Sequence, residues 1–174
     1  MQTLKADLKR KQQIFAEDGA DVSMLRIFMA DGTSANVLYR CMRWCAIRKL
    51  GLVAYFFQWL NKYLNGCVIG SGADFAPGFV IMHPVGIVIN SKVTGGNNIT
   101  LESGVVIGDE KGQSPKLANN IFVGAGAKVI GGITVAEHVK IGANAVLTKD
   151  AYAGSTMLGI PAKAYKKKSD EAYN

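Results

Sequence analysis

From residue 66 onward, apolar side chains return at every sixth position. Ile69, Phe75, Ile81, Ile87, Val93, Ile99 and Val105 keep the phase, Leu117, Val123, Val129, Val135, Ile141 and Leu147 resume it, and Lys111 alone interrupts it. An α-helix repeats every 3.6 residues and a strand every two, so a period of six calls for short strands joined by like turns, with three faces to each coil of about eighteen residues. Gly and Asn recur near the corners, in GSGADF, TGGNN, GAGAK and GANAV, where left-handed backbone is cheap for Gly and tolerable for Asn. The pattern predicts a parallel β-helix, its coils stacked at ~4.8 Å around a narrow prism of sixth-place side chains.

The first 65 residues lack this period. SANVLYRCMRWCAIRKLGLVAYFFQWLNKYLNG has no proline and mixes apolar residues with Arg40, Arg43, Arg48, Lys49 and Lys62, which predicts one or two amphipathic helices. Its longest charge-free run, residues 50–61, is too short to span a bilayer. The basic, aromatic-rich segment over residues 37–64 suits packing against the protein or a sister subunit first, with a place on a membrane surface as the alternative. Residues 1–30 read as a polar helix, followed by a DGTSAN break in which Ser34 or Asn36 is placed to cap the next helix. Three segments result: a helical region (1–65), the β-helix (66–165) and a basic tail (166–174).

Composition narrows the partners. With 174 residues, 49% apolar and 19% charged, the chain fits one globular domain with a small appendage. Twenty Lys and Arg against thirteen Asp and Glu give a net charge of +7, which favours a phosphorylated ligand or an anionic surface. Cys41, Cys45 and Cys67 have no metal-type spacing with histidine, and MQTLKADLKRKQQ has no apolar signal core, so reduced thiols in the cytoplasm are expected.

Taken in order, MHPVGIVIN, GDEKGQSPKL, the pair VGAGAKVIGGITV and IGANAVLTKD, and GIPAK resemble the hexapeptide-repeat acyltransferases, and within them the serine acetyltransferase group, over about residues 66–165. The resemblance implies left-handed coiling, contrary to the usual right-handed crossover. It also implies acetyl-CoA as donor, no metal, and a homotrimer or dimer of trimers with sites between neighbouring β-helices; no nucleic-acid partner is expected. His83 stands at the family's catalytic histidine. By the periodicity it lies two places beyond core position Ile81, in an outward-facing turn. The implied mechanism makes it the general base, taking the proton from an acceptor hydroxyl as that oxygen attacks the thioester, with no covalent enzyme intermediate. His138, in VAEHVK, reads as a surface residue.

On the cofactor side the resemblance assigns Ala125, Gly126, Ala143 and Asn144 to the track of the pantetheine arm, although small residues are also what a β-helix corner needs. Gly159 and Lys163 of GIPAK, Lys149, and the lysines at 166–168 are placed for the CoA phosphates.

Departures from the family bear on the acceptor. Where the family carries an aspartate before the histidine, an upstream acid that orients the ring, and an Arg-His-Pro-Lys loop, this chain has Met82, Val68, and Gln113 with Ser114. Glu102 and Asp109, and also Asp74, are the acids near enough in sequence to orient His83; failing these, a backbone carbonyl must do so. A free amino acid demands countercharges. Their loss at Met82, Gln113 and Ser114, together with the short helical region, favours a neutral hydroxyl on a glycan or glycan precursor of capsule, exopolysaccharide or O-antigen, made at the inner face of the membrane. L-Serine is the alternative, and a non-catalytic scaffold the second. A γ-type carbonic anhydrase would need three histidine ligands, and the chain has two histidines.

Overall fold

The computed structural model describes residues 2–165; the lysines at 166–168 lie outside them. Four helices come first: α1 (Gln2–Glu17), α2 (Met24–Met29), α3 (Thr33–Ile47) and α4 (Gly51–Asn65). α3 and α4 are separated at Lys49, whose φ is 60°. The expected side-chain cap is absent from α3. Its N-cap is Gly32, while Ser34 Oγ donates to Asn65 Oδ1 at 2.6 Å and Asn36 is turned toward the β-helix.

Among the described residues fifteen strands of two or three residues follow, stacked in parallel into three sheets that wrap a column of Ile, Val and Leu side chains. The last, Lys163–Ala164, closes antiparallel on Thr156–Leu158. Left-handed corners recur in register. Gly86, Gly104, Gly126 and Asn144 form one such file. Gly126 has φ +71°, left-handed backbone that favours glycine whatever the space around it.

The sixfold phase is less simple than the sequence suggests. Val88 stacks eighteen residues before Val106, but Val68 pairs with Val88, twenty residues on, and Val106 with Lys128, twenty-two on. Two extra residues lie in the first coil and four in the second long one. Each coil carries two buried positions per face, two residues apart, such as Phe79 and Ile81 or Ile87 and Ile89. The step from Ile81 to Ile87 therefore crosses from one buried file to the other. The extra residues together make one hexad, which restores the phase beyond Lys111.

The first coil has no coil beneath it, and its lower backbone groups are taken by side chains of the helices. Tyr39 Oη donates to Ala73 C=O (3.2 Å) and accepts from Phe75 N–H (3.0 Å). Arg40 donates to the carbonyls of Phe75 (2.7 Å) and Ala76 (2.9 Å). Asp7 accepts from the N–H groups of Gly78 (2.8 Å) and Phe79 (3.0 Å). Asn36 donates to Phe79 C=O and accepts from Ile81 N–H, both at 2.9 Å. Lys11 Nζ donates to Ile81 C=O at 2.9 Å. Asp7 and Arg40 also pair directly at 2.7 Å. Burial raises the Asp7 carboxyl above its ordinary range despite Arg40 and the two backbone donors, so this ion pair contributes register more than net stability.

Asp7→Ala leaves Arg40 without its counterion and two N–H groups without an acceptor. Urea denaturation is expected to show a loss of roughly 3–5 kcal/mol, whereas a loss within experimental error would show that water replaces the carboxylate.

Candidate active site

His83 sits on the edge of the prism between the strands Val80–Ile81 and Val88–Ile89. Met82 N–H donates to Leu101 C=O as Glu102 N–H does to Val123 C=O, and Gly104 N–H donates to Val85 C=O as Gly126 N–H does to Ser103 C=O. Met82 is thus the counterpart of Glu102 and Val85 that of Ser103. The two residues left over in the first coil are His83 and Pro84 themselves. The imidazole stands on an outward bulge, its side chain 58% exposed.

The ring is oriented by Asp31. His83 Nδ1 and Asp31 Oδ2 lie 2.8 Å apart; with Nδ1–H donating to the carboxylate, the lone pair is on Nε2 and faces outward as a base requires. Asp31 belongs to the link between α2 and α3, and Gly32 (φ +74°) lets that link lie directly on the β-helix. A Cβ on Gly32 would meet Ile81 O at 2.2 Å and Met82 O at 2.8 Å. Lys11 Nζ donates to Asp31 C=O and to Thr33 Oγ1 at 3.2 Å. Burial brings the Lys11 ammonium down to about 8, with the Asp31 and Glu102 carboxylates drawing it back up.

This corrects the acids expected from sequence. Asp109 accepts from Gly112 N–H at 2.9 Å and lies 3.4 Å from Ser114 Oγ, in the loop between Val106–Gly108 and Lys116–Leu117. Asp74 is paired with Arg43 at 2.7 Å. Glu102 lies one coil above Met82, but the hydrogen bond on Nδ1 is made by Asp31. The assignment was hidden because Asp31 is 52 residues from His83 and no local spacing links them.

Other candidates divide between two edges. Ala125, Gly126, Ala143 and Asn144 stack above His83 on one edge, with Asn144 N–H donating to Ala125 C=O at 2.8 Å. Gly159 joins this edge at the top, its carbonyl accepting from Val146 N–H at 3.0 Å. From His83 to Ala143 is three coil steps, roughly 14 Å. Gln113 and Ser114 lie on a second edge, where Ser114 Oγ donates to Asn90 Oδ1 at 3.2 Å. Lys149 is on that second edge too, and Lys163 is on the final antiparallel strand. Within one chain, Gln113, Ser114 and Lys149 are apart from the His83 file.

A cleft of about 690 Å³ opens between the C-terminal half of α1 and the sheet beside Met82. Arg10, Asp18, Glu102 and Lys140 line it with both signs of charge, and His138 is on its wall. Arg10 Nε is buried without a hydrogen-bond partner among the described residues. The polar helix thus supplies charged groups that its sequence alone did not mark.

No family model matches the chain. Curated relatives do. The chain is 35% identical over 166 residues to a serine acetyltransferase of Synechococcus elongatus, covering 92% of this chain and 67% of that protein. It is 35% identical over 161 residues to a serine acetyltransferase of Helicobacter pylori, covering 90% and 94%. The second relative is matched almost end to end, so a short helical region does not set a chain apart from proteins of that name. A solved Neisseria gonorrhoeae serine acetyltransferase in complex with serine superposes with a TM-score of 0.84 at 29% identity, covering 93% of this chain and 67% of that one. Matches of this length, over helices and coils alike, establish that the chain belongs to the serine acetyltransferase family of left-handed β-helix proteins and is an acetyl-CoA-dependent acyltransferase.

Proposed function

We propose that the acceptor is L-serine, with His83 as the general base and Asp31 holding its tautomer. The charged cleft beside Met82 carries this reading. Lys140 suits a carboxylate, with the Arg10 guanidinium beside it already paired to Glu17 at 2.8 Å, and Asp18 and Glu102 suit an ammonium. Met82, Gln113 and Ser114 are uncharged, and these side chains supply charge from other positions. The relatives' names point the same way. In the reaction Nε2 takes the hydroxyl proton, the oxygen attacks the acetyl carbonyl, and CoA leaves as the thiol. The file from Ala125 to Gly159 offers the pantetheine arm a course toward His83. A glycan hydroxyl is the second reading, favoured by a cleft larger than a free amino acid fills.

Gln113 and Ser114 reach a His83 site only from a neighbouring copy, and we assign the chain a homotrimeric assembly on that ground. Contact with an anionic membrane surface is proposed for α3 and α4. Trp44, Leu52, Tyr55, Phe56, Trp59 and Tyr63 are exposed there, and no Asp or Glu occurs between Asp31 and Asp74. Arg48, stacked 3.9 Å over Trp44, Lys49 and Lys62 add positive charge that a second copy of the same face would repel and an anionic lipid would attract. Among the described residues no helix is long and apolar enough to cross a membrane.

Three measurements check these readings. His83→Ala is expected to lower turnover roughly 10²- to 10⁴-fold and Asp31→Asn to lower it less; undiminished turnover in His83→Ala removes the base. With acetyl-CoA supplied, CoA release is expected with L-serine and not with neutral saccharides. Release with saccharides alone would select the glycan reading. Sedimentation is expected to give a trimer, and the trimer to co-sediment with phosphatidylglycerol but not phosphatidylcholine vesicles. A stable monomer overturns the assembly, and binding to neither vesicle overturns the membrane contact.

A further inference from the structure

We propose that Lys11 is a positioning residue for catalysis: its Nζ pins the Asp31–Gly32 link to the end of the strand Val80–Ile81 and so places the carboxylate that orients His83. The proposal rests on His83 acting as the base.

The coordination of Nζ is complete. An ammonium has three donors, and Lys11 spends them on Asp31 C=O, Thr33 Oγ1 and Ile81 C=O. Thr33 is fixed to accept, because its own hydroxyl donates to Ile27 C=O at 2.7 Å. Lys11 is 2% exposed, and burying an ammonium is costly unless every donor is used. Of the five side chains that cover the first coil, Tyr39, Arg40, Asp7 and Asn36 each satisfy two of its backbone groups. Lys11 takes one, at Ile81, and turns its other donors to the link that carries Asp31. It therefore does more than fill a gap in the backbone pairing.

The link needs such a tie. Asp31 and His83 are 62% and 58% exposed, and an exposed carboxylate–imidazole contact has little strength of its own. How often it forms depends on where the backbone of Asp31 is held. Asp31 is fixed from two sides, its carbonyl by Lys11 and its carboxylate by Nδ1 of His83 and by Gly32 N–H at 2.9 Å. Gly32 adds a steric condition, since the link lies against Ile81 and Met82 too closely for any side chain. Lys11 joins three places distant in sequence, 20 residues from Asp31 and 70 from Ile81.

Nitrogen-15 spectra of histidine-labelled protein test this without turnover. The chain has two histidines, and His83→Gln assigns their signals. Wild-type His83 is expected as the Nδ1–H tautomer, and Lys11→Met, checked for folding by thermal melting, is expected to shift it to a mixture. Turnover should fall roughly 10- to 100-fold, as for a displacement of about an ångström, with KM for acetyl-CoA within about twofold. Adding Lys11→Met to Asp31→Asn should lower kcat no further, because Lys11 acts through Asp31. An unchanged tautomer ratio in folded Lys11→Met, or fully additive losses, overturns the proposal. Should Lys11→Met not fold, Thr33→Val removes one acceptor and is expected to shift the ratio in the same direction; no shift there overturns the proposal equally. Failure of the parent reading is distinct, since it appears as full turnover in His83→Ala whatever the tautomer does.

Discussion

A stack of coils must begin somewhere, and its first coil exposes a row of N–H and C=O groups with no coil below. Such an edge either binds another strand or must be satisfied from elsewhere in the chain. Here nine of those groups, from Ala73 C=O to Ile81 C=O, are met by Tyr39, Arg40, Asp7, Asn36 and Lys11. The helical region is thereby locked to the β-helix in a single register. Asp31 reaches His83 because the helices that carry it are held by this row of hydrogen bonds.

The β-helix was legible because stacking asks for the same residue type at a fixed interval, and that demand is written locally. The corner glycines and asparagines were legible for the same reason. His83 was visible through its motif, and its outward direction through its distance from Ile81. The rest of the site depends on contacts between segments far apart in the chain. Asp7 and Lys11 look like two more charges on a polar helix, and only the docked structure shows both nearly fully buried. Glu102 and Asp109 were favoured because they are near His83 along the chain, a poor guide in a fold where one coil step moves about twenty residues.

The same geometry bears on the acceptor. Absence of charge at Met82, Gln113 and Ser114 is a statement about three positions, whereas a binding site is a statement about a volume. Arg10 from α1, Asp18 just beyond its end and Lys140 from the β-helix share that volume with Met82. Gln113 and Ser114 sit on another edge of the same chain, so an assembly that uses them with His83 divides the site between copies and makes activity a property of the oligomer.

The bulge that carries His83 and Pro84 has a consequence for how such a protein can change. Without those two residues the first coil would match the eighteen-residue spacing between Val88 and Val106, and both buried files would continue through it. His83 therefore sits on an excursion that the solenoid does not need. Coils and excursion are separable: both buried files close without residues 83 and 84, so side chains there and on the facing link can be exchanged without disturbing the stack.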